Sequence, residues 1–148
     1  MPLLSALAVA AAVSAQAAPT SAPCPRDGTT LDINQCLIAE AASADAERVR
    51  YLQAAQTRLK QEASPSDTTA VAMPAEIGKV EAAWTAYRDL ECGAVLDYWS
   101  AGTIRVMMEE SCVIDLTRQH THTLWSEWLT YMDSTPPILP EPSVATEP

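Results

Sequence analysis

The chain has 148 residues, enough for one domain with tails, and its 19 acidic against 9 basic side chains give a formal charge of −10. Such a field repels nucleic acid and anionic membrane surface, and no basic patch interleaved with aromatics counters it, so nucleic-acid binding is not expected. The same field draws cationic partners inward.

The first eighteen residues are uncharged, rich in Leu, Ala and Val, and end on the small-x-small site Ala15-Gln16-Ala17. The run is too short and Ala-rich to span a bilayer of about 30 Å comfortably, and residues 1–18 read as a signal peptide. The mature protein is therefore expected in the periplasm or secreted, with no membrane attachment after cleavage. Pro23 directly before Cys24 does not suit a lipid-attachment site.

Export makes oxidation the default for Cys24, Cys36, Cys92 and Cys112. Four cysteines allow three connectivities. Sequence-adjacent pairing, Cys24–Cys36 and Cys92–Cys112, is preferred. A metal site is not expected, because there is no C-x-x-C and both histidines lie away from the cysteines. A catalytic thiol would sit in an electropositive setting. Cys92, however, follows Asp89 and Glu91, and Cys112 follows Glu109 and Glu110.

Residues 19–30 hold three prolines and Gly28 and form an irregular lead-in, with Thr30 or Asp32 placed to cap the first helix. From Leu31 to about Glu62 neither Gly nor Pro occurs, and Ala, Glu, Gln, Arg and Leu predict a long helix. Its apolar set is Ile38, Ala41, Val49, Leu52, Ala55 and Leu59, interrupted by Asp45. A buried Asp45 needs a partner, and Arg48 and Arg88 are the candidates.

Residues 63–75, with Pro65, Pro74 and a Ser/Thr cluster, are expected as a surface loop holding at most a short helix near residue 70. A second helix from Glu76 to about Trp99 carries Ile77, Val80, Trp84, Tyr87, Leu90 and Ala94 on one broad face. Trp84 and Tyr87 are expected as core anchors, and Arg88-Asp89 as a polar link between helices.

Ser100-Ala101-Gly102-Thr103 is the turn, with Gly102 at the position suited to positive φ. A third helix is predicted over Ile104–Met132, with Val113, Leu116, His120, Leu124, Trp128 and Tyr131 as its buried stripe. His120 reads as a satisfied core histidine. His122, two residues on, points to another face, so the two do not share a metal. The tail, 134–148, has five prolines in fifteen residues and is expected to be disordered or polyproline-like.

No alternating strand pattern occurs after the signal. The fold class is all-α: a small disulfide-stabilised bundle of three main helices with a helix–loop–helix hairpin, over a domain of residues 19–133. Each bridge is worth about 2–4 kcal/mol. As an enzyme the chain lacks a Gly-rich phosphate loop, G-x-S-x-G, H-E-x-x-H and a free Cys–His dyad. Glu109 and Glu110 are adjacent on a helix and point about 100° apart, which does not flank one bond. No catalytic residue, cofactor or metal is expected.

The segments A-D-A-E, A-W-x-x-Y-R-D-x-x-C and A-G-T-I…M…C-x-x-x-L-T resemble the LprI-type lysozyme-inhibitor N-terminal domain family. The matching residues include Cys24, Cys36, Asp45, Trp84, Tyr87, Arg88, Asp89, Cys92, Gly102, Met107, Cys112, Leu116, Thr117 and Leu124. The resemblance covers residues 24–126, and its most specific block is that around Trp84. The chain departs at Arg48-Val49, Leu52, Glu81 and His120, where the family usually has Leu-Asn, Tyr, Gln and Arg. The change at His120 is expected to remove a cationic partner from Asp45 or Asp89.

The resemblance implies an exported bacterial protein, and the named member of the family inhibits c-type lysozyme. The expected function is inhibition of a basic, c-type-like lysozyme by occluding its cleft, with a non-inhibitory envelope scaffold as the alternative. Asp97, Tyr98, Trp99, Thr103, Glu109 and Glu110 are the expected partner contacts, because they rim the glycine turn within the hairpin. Asp45, Trp84, Tyr87, Arg88, Asp89, Gly102 and Thr117 are expected as scaffold. A monomer with a protein partner is expected.

Overall fold

The computed structural model describes residues 24, 25 and 27–143, so the expected signal peptide and residues 144–148 of the tail lie outside it. Three helices make the fold: α1 (Thr30–Glu62), α2 (Thr68–Tyr98) and α3 (Arg105–Trp128). No strand occurs among the described residues. Both disulfides take the sequence-adjacent pairing, Cys24–Cys36 and Cys92–Cys112.

The helix ends follow local chemistry. Thr29 rather than Thr30 or Asp32 caps α1: its hydroxyl accepts from the Asp32 N–H at 3.2 Å, and Asp32 accepts from the Thr29 N–H at 3.2 Å. This reciprocal pair satisfies two donors that the helix cannot, and the Thr29 hydroxyl holds the Asp32 carboxyl below its ordinary pKa.

The expected loop 63–75 is corrected to a link of residues 63–67. Asp67 accepts from Thr69 N and Ala70 N at 3.0 and 3.1 Å and so starts α2 at Thr68, ahead of Pro74. A proline inside a helix forfeits one backbone bond. Pro74 is nevertheless buried, as is Ile77 one turn on, and the Pro74 carbonyl accepts from Gln56 Nε2 of α1 at 3.4 Å. Capping and burial together outweigh the lost bond.

α1 and α3 run from the disulfide end to the opposite end of the bundle, and α2 runs back between them. At the far end Tyr51, Ala55, Leu124 and Leu129 make the apolar core, covered by Leu52, Ala54, Trp125, Trp128 and Leu139. Charged residues fill the middle of the bundle. The two disulfides and the α2–α3 turn occupy the near end.

Leu139 belongs to the tail, whose described part packs against the bundle. Ile138 N donates to Leu129 O at 2.9 Å, Trp125 Nε1 to Leu139 O at 3.0 Å, and Tyr51 Oη to Pro140 O at 2.7 Å. Pro142 is buried. A proline-rich segment cannot donate many backbone N–H groups, but its carbonyls remain free to accept. Two aromatic donors on α1 and α3 use them. Arg58 completes this end: its Nη1 donates to Trp128 O and Thr130 O at 2.8 and 2.9 Å, supplying the terminal carbonyls of α3 with a cation.

The expected inward faces are partly wrong. In α2 the buried residues are Pro74, Ile77, Glu81 and Cys92, whereas Val80, Tyr87 and Leu90 are exposed at 60, 51 and 76 %. Tyr87 is therefore not a core anchor. In α3 the buried set is Ile114, Thr117, Thr121 and Leu124: Leu124 belongs to the predicted stripe, and the other three lie one position past Val113, Leu116 and His120. In α1 it is Ala41, Ala44, Arg48, Tyr51 and Ala55, with Ile38 exposed.

Candidate functional site

The middle of the bundle is a connected polar unit drawn from all three helices. Arg48 of α1 and His120 of α3 take the two carboxylate oxygens of Glu81 of α2. Asp45 Oδ1 accepts from Arg48 Nε at 3.1 Å and from Arg88 Nη1 at 2.8 Å. Arg88 also donates to Asp89 Oδ1 at 2.9 Å and reaches Thr117 Oγ1 at 3.5 Å.

Trp84 lies among these charges. Its ring stacks on His120 at 4.1 Å with an interplanar angle of 9°, and the guanidinium groups of Arg48 and Arg88 lie 5.1 and 5.2 Å from its centroid. Trp84 anchors the core through cation–π and stacking contacts rather than apolar packing alone.

The unit satisfies its own charges. Burial pushes the Asp45 carboxyl up, but hydrogen bonds from Arg48 and Arg88 outweigh it and hold the pKa below the ordinary value. Desolvation works against the Arg88 cation, and bonds to Asp89 and Asp45 more than offset it, raising its pKa. Both expected partners of Asp45 are therefore present. His120 serves Glu81 instead of Asp45 or Asp89, so its replacement of the family's usual Arg leaves neither aspartate without a cation. The charges of this centre are paired with one another across the three helices.

The near end presents the surface. The Cys92–Cys112 bridge, with Cα atoms 5.6 Å apart, ties α2 to α3 below the turn. α2 ends at Tyr98, and Trp99 caps it with its N–H directed at Val95 O and Asp97 O. Gly102 N donates to Trp99 O at 2.8 Å. No glycine among the described residues has positive φ, so the expectation for Gly102 is corrected. Its role is close approach: a Cβ there would meet Trp99 O at 3.3 Å.

Tyr98 is 82 % exposed and meets Trp99 edge-to-face, with centroids 5.5 Å apart at 88°. Asp97 and Thr103 are exposed beside them. Glu109 and Glu110 lie farther along, in the first turns of α3, and are half-buried. Desolvation, then the Glu109 charge, pushes the Glu110 carboxyl above its ordinary pKa. Four of the six expected contacts thus form the tip, and the two glutamates form its flank.

Among the described residues no three His, Cys, Asp or Glu side chains are grouped to hold a metal ion. His120 points to Glu81, and His122 stands at the other face against Trp125 and Glu141. Sequence reasoning missed the bond between Glu81 and His120, the cap formed by Arg58 and the strap formed by the tail. The one visible signal was that Arg48, Glu81 and His120 all departed from the same family pattern.

A disulfide-clamped helical hairpin on a bundle with a charged centre defines a small disulfide-stabilised all-α protein. The family model for "Lysozyme inhibitor LprI" matches residues 21–124, and the chain belongs to that family. No curated protein and no solved structure matches the chain.

Proposed function

We propose that the protein is an exported inhibitor of a basic, c-type-like lysozyme and that the tip of the α2–α3 hairpin occludes the enzyme's cleft. Family membership supports the class. The observation that carries the site is Tyr98, 82 % exposed beside Trp99 on a turn clamped by Cys92–Cys112. Rigid exposed aromatics lose little entropy on burial and are favoured at interface centres. Asp97, Thr103, Glu109 and Glu110 surround them with polar and acidic groups.

The charge of −10 raises the rate of association with a basic enzyme more than it deepens binding. Inhibition of this kind works by occlusion and needs no chemistry from the inhibitor. Two disulfides suit an oxidising compartment, and no helix among the described residues is long and apolar enough to cross a membrane.

The test is a lysozyme turbidity assay with residues 19–148. Slowed lysis near equimolar inhibitor is expected. Full lysis at a large molar excess overturns the reading and favours a non-inhibitory envelope scaffold.

A further inference from the structure

The described part of the proline-rich tail runs back along α3. Ile138 N donates to Leu129 O at 2.9 Å, Trp125 Nε1 donates to Leu139 O at 3.0 Å, and Glu141 meets His122 at 3.2 Å. From α1, Tyr51 donates its hydroxyl to Pro140 O at 2.7 Å, although the residue is only 1 % exposed. Two neighbouring carbonyls are therefore taken from opposite walls of one groove. Leu139 packs against the core and Pro142 is buried, while Pro140 and Glu141 are exposed.

A segment rich in proline has few N–H groups to offer and is recognised through its carbonyls. Indole and phenol suit that task, because each couples a flat apolar body to one donor at its edge. Aromatic-lined grooves that take proline-rich segments from other proteins use the same combination. The segment is also separable from the bundle. Residues 132–137 are exposed, and Thr135 N donates within that linker to Asp133 Oδ1 at 2.9 Å. Trp128 O and Thr130 O are held by Arg58 rather than by the tail.

We infer that the α1–α3 groove is a binding site for a proline-rich segment of a partner protein, of the pattern Leu-Pro-acidic-Pro, and that the tail is its tethered occupant. Leu139 defines the apolar position, Pro142 the buried ring, and Glu141 the acidic position opposite His122. A short flexible tether holds its segment at an effective concentration of about millimolar. A partner's segment displaces the tail only when it is presented at a comparable concentration or makes further contacts. The tail thus acts as a self-inhibitory strap. The site is remote from the hairpin tip and does not depend on lysozyme being the target.

The test uses a fluorine-labelled peptide of residues 134–143, followed by its fluorine resonance as chain 19–148 is added up to about 1 mM, the scale of the tether. Leu139→Ser with Pro142→Ser, made in the full chain, loosens the tail and leaves the groove walls intact. This variant should bind the peptide with a sub-millimolar dissociation constant. The parent should bind at least about tenfold more weakly, because its groove is seldom free. Adding Trp125→Phe to the variant removes one donor and should weaken binding about fivefold. No binding by a variant that keeps the parent's dichroism overturns the site, and so does equal binding of a peptide carrying Pro140→Ala and Pro142→Ala. If the variant loses the parent's dichroism, the parent decides: a peptide with benzophenone in place of the Ile138 side chain should photo-cross-link within residues 125–129. No adduct there overturns the inference.

Discussion

Glu81 and His120 hydrogen-bond to each other in the centre of the bundle, and Arg48 takes the remaining Glu81 oxygen. Each of the three stands where the family usually has a different residue, and together they form one bonded unit. Removing the Glu81 charge leaves the buried Arg48 guanidinium with Asp45 alone. Glu81→Gln should lower the unfolding free energy by about 3 kcal/mol, the cost of breaking a buried pair from one side. Adding His120→Arg places a further guanidinium beside Arg48 with no Glu81 charge between them, and should cost about 1 kcal/mol or more beyond the sum of the single variants. Urea unfolding of the two single variants and the double variant measures the coupling. Strict additivity would show that the two sites do not communicate.

Asp45 sets the acid limit of the fold. Its folded pKa is depressed, so its contribution is complete above the ordinary carboxyl value and is lost as pH falls through about 4 and below. Asp45→Asn should be less stable than the parent at neutral pH, and the gap should close on acidification. Melting curves from neutral pH down to about 2.5 would show the convergence. A gap independent of pH would assign the loss to packing.

Glu110 has the opposite sign. Desolvation and Glu109 raise its folded pKa, so stability falls as pH rises through the window just above about 4.3. Glu110→Gln should raise the melting temperature at neutral pH and flatten that part of the profile. On the proposed function it should also slow association with lysozyme. A more stable but slower inhibitor is the expected outcome, measured by calorimetry and by association kinetics.

The tail closes the core at the end remote from the hairpin. Deleting residues 134–148 removes the acceptors of Tyr51 and Trp125, the Ile138–Leu129 bond and the cover from Leu139. The cost should be about 3 kcal/mol, from three hydrogen bonds and one apolar side chain less the entropy regained. Lysozyme inhibition should persist at temperatures where the truncated protein is folded, since α3 separates the two ends by about 36 Å. Loss of inhibition from a folded truncated chain would place the working surface at the tail.

Tyr98→Ala tests the tip. Truncating an exposed interface aromatic of hot-spot type costs about 2 kcal/mol, roughly thirtyfold in affinity. Stability should hardly change, because the ring is 82 % exposed. Equal inhibition by parent and variant would exclude the tip as the contact.

The amino-acid sequence determined what local chemistry decides. A run without Gly or Pro placed α1, whose cap fell on Thr29, one residue before the expected Thr30, and export favoured the cysteine pairing that the structure shows. Even here Pro74 misled, because the Asp67 cap and the burial of Pro74 and Ile77 outweigh one missing bond.

Tertiary structure decided which face of each helix turns inward. Hydropathy placed Val80, Tyr87 and Leu90 in the core, and α2 exposes all three and buries Glu81 instead. The physical reason is that a charge is costly to bury alone but tolerable once its partners are in place. Those partners, Arg48, Asp45 and His120, stand on other helices, far away in sequence. The tail follows the same logic: the carbonyls of Leu139 and Pro140 find donors only after folding brings Trp125 and Tyr51 together.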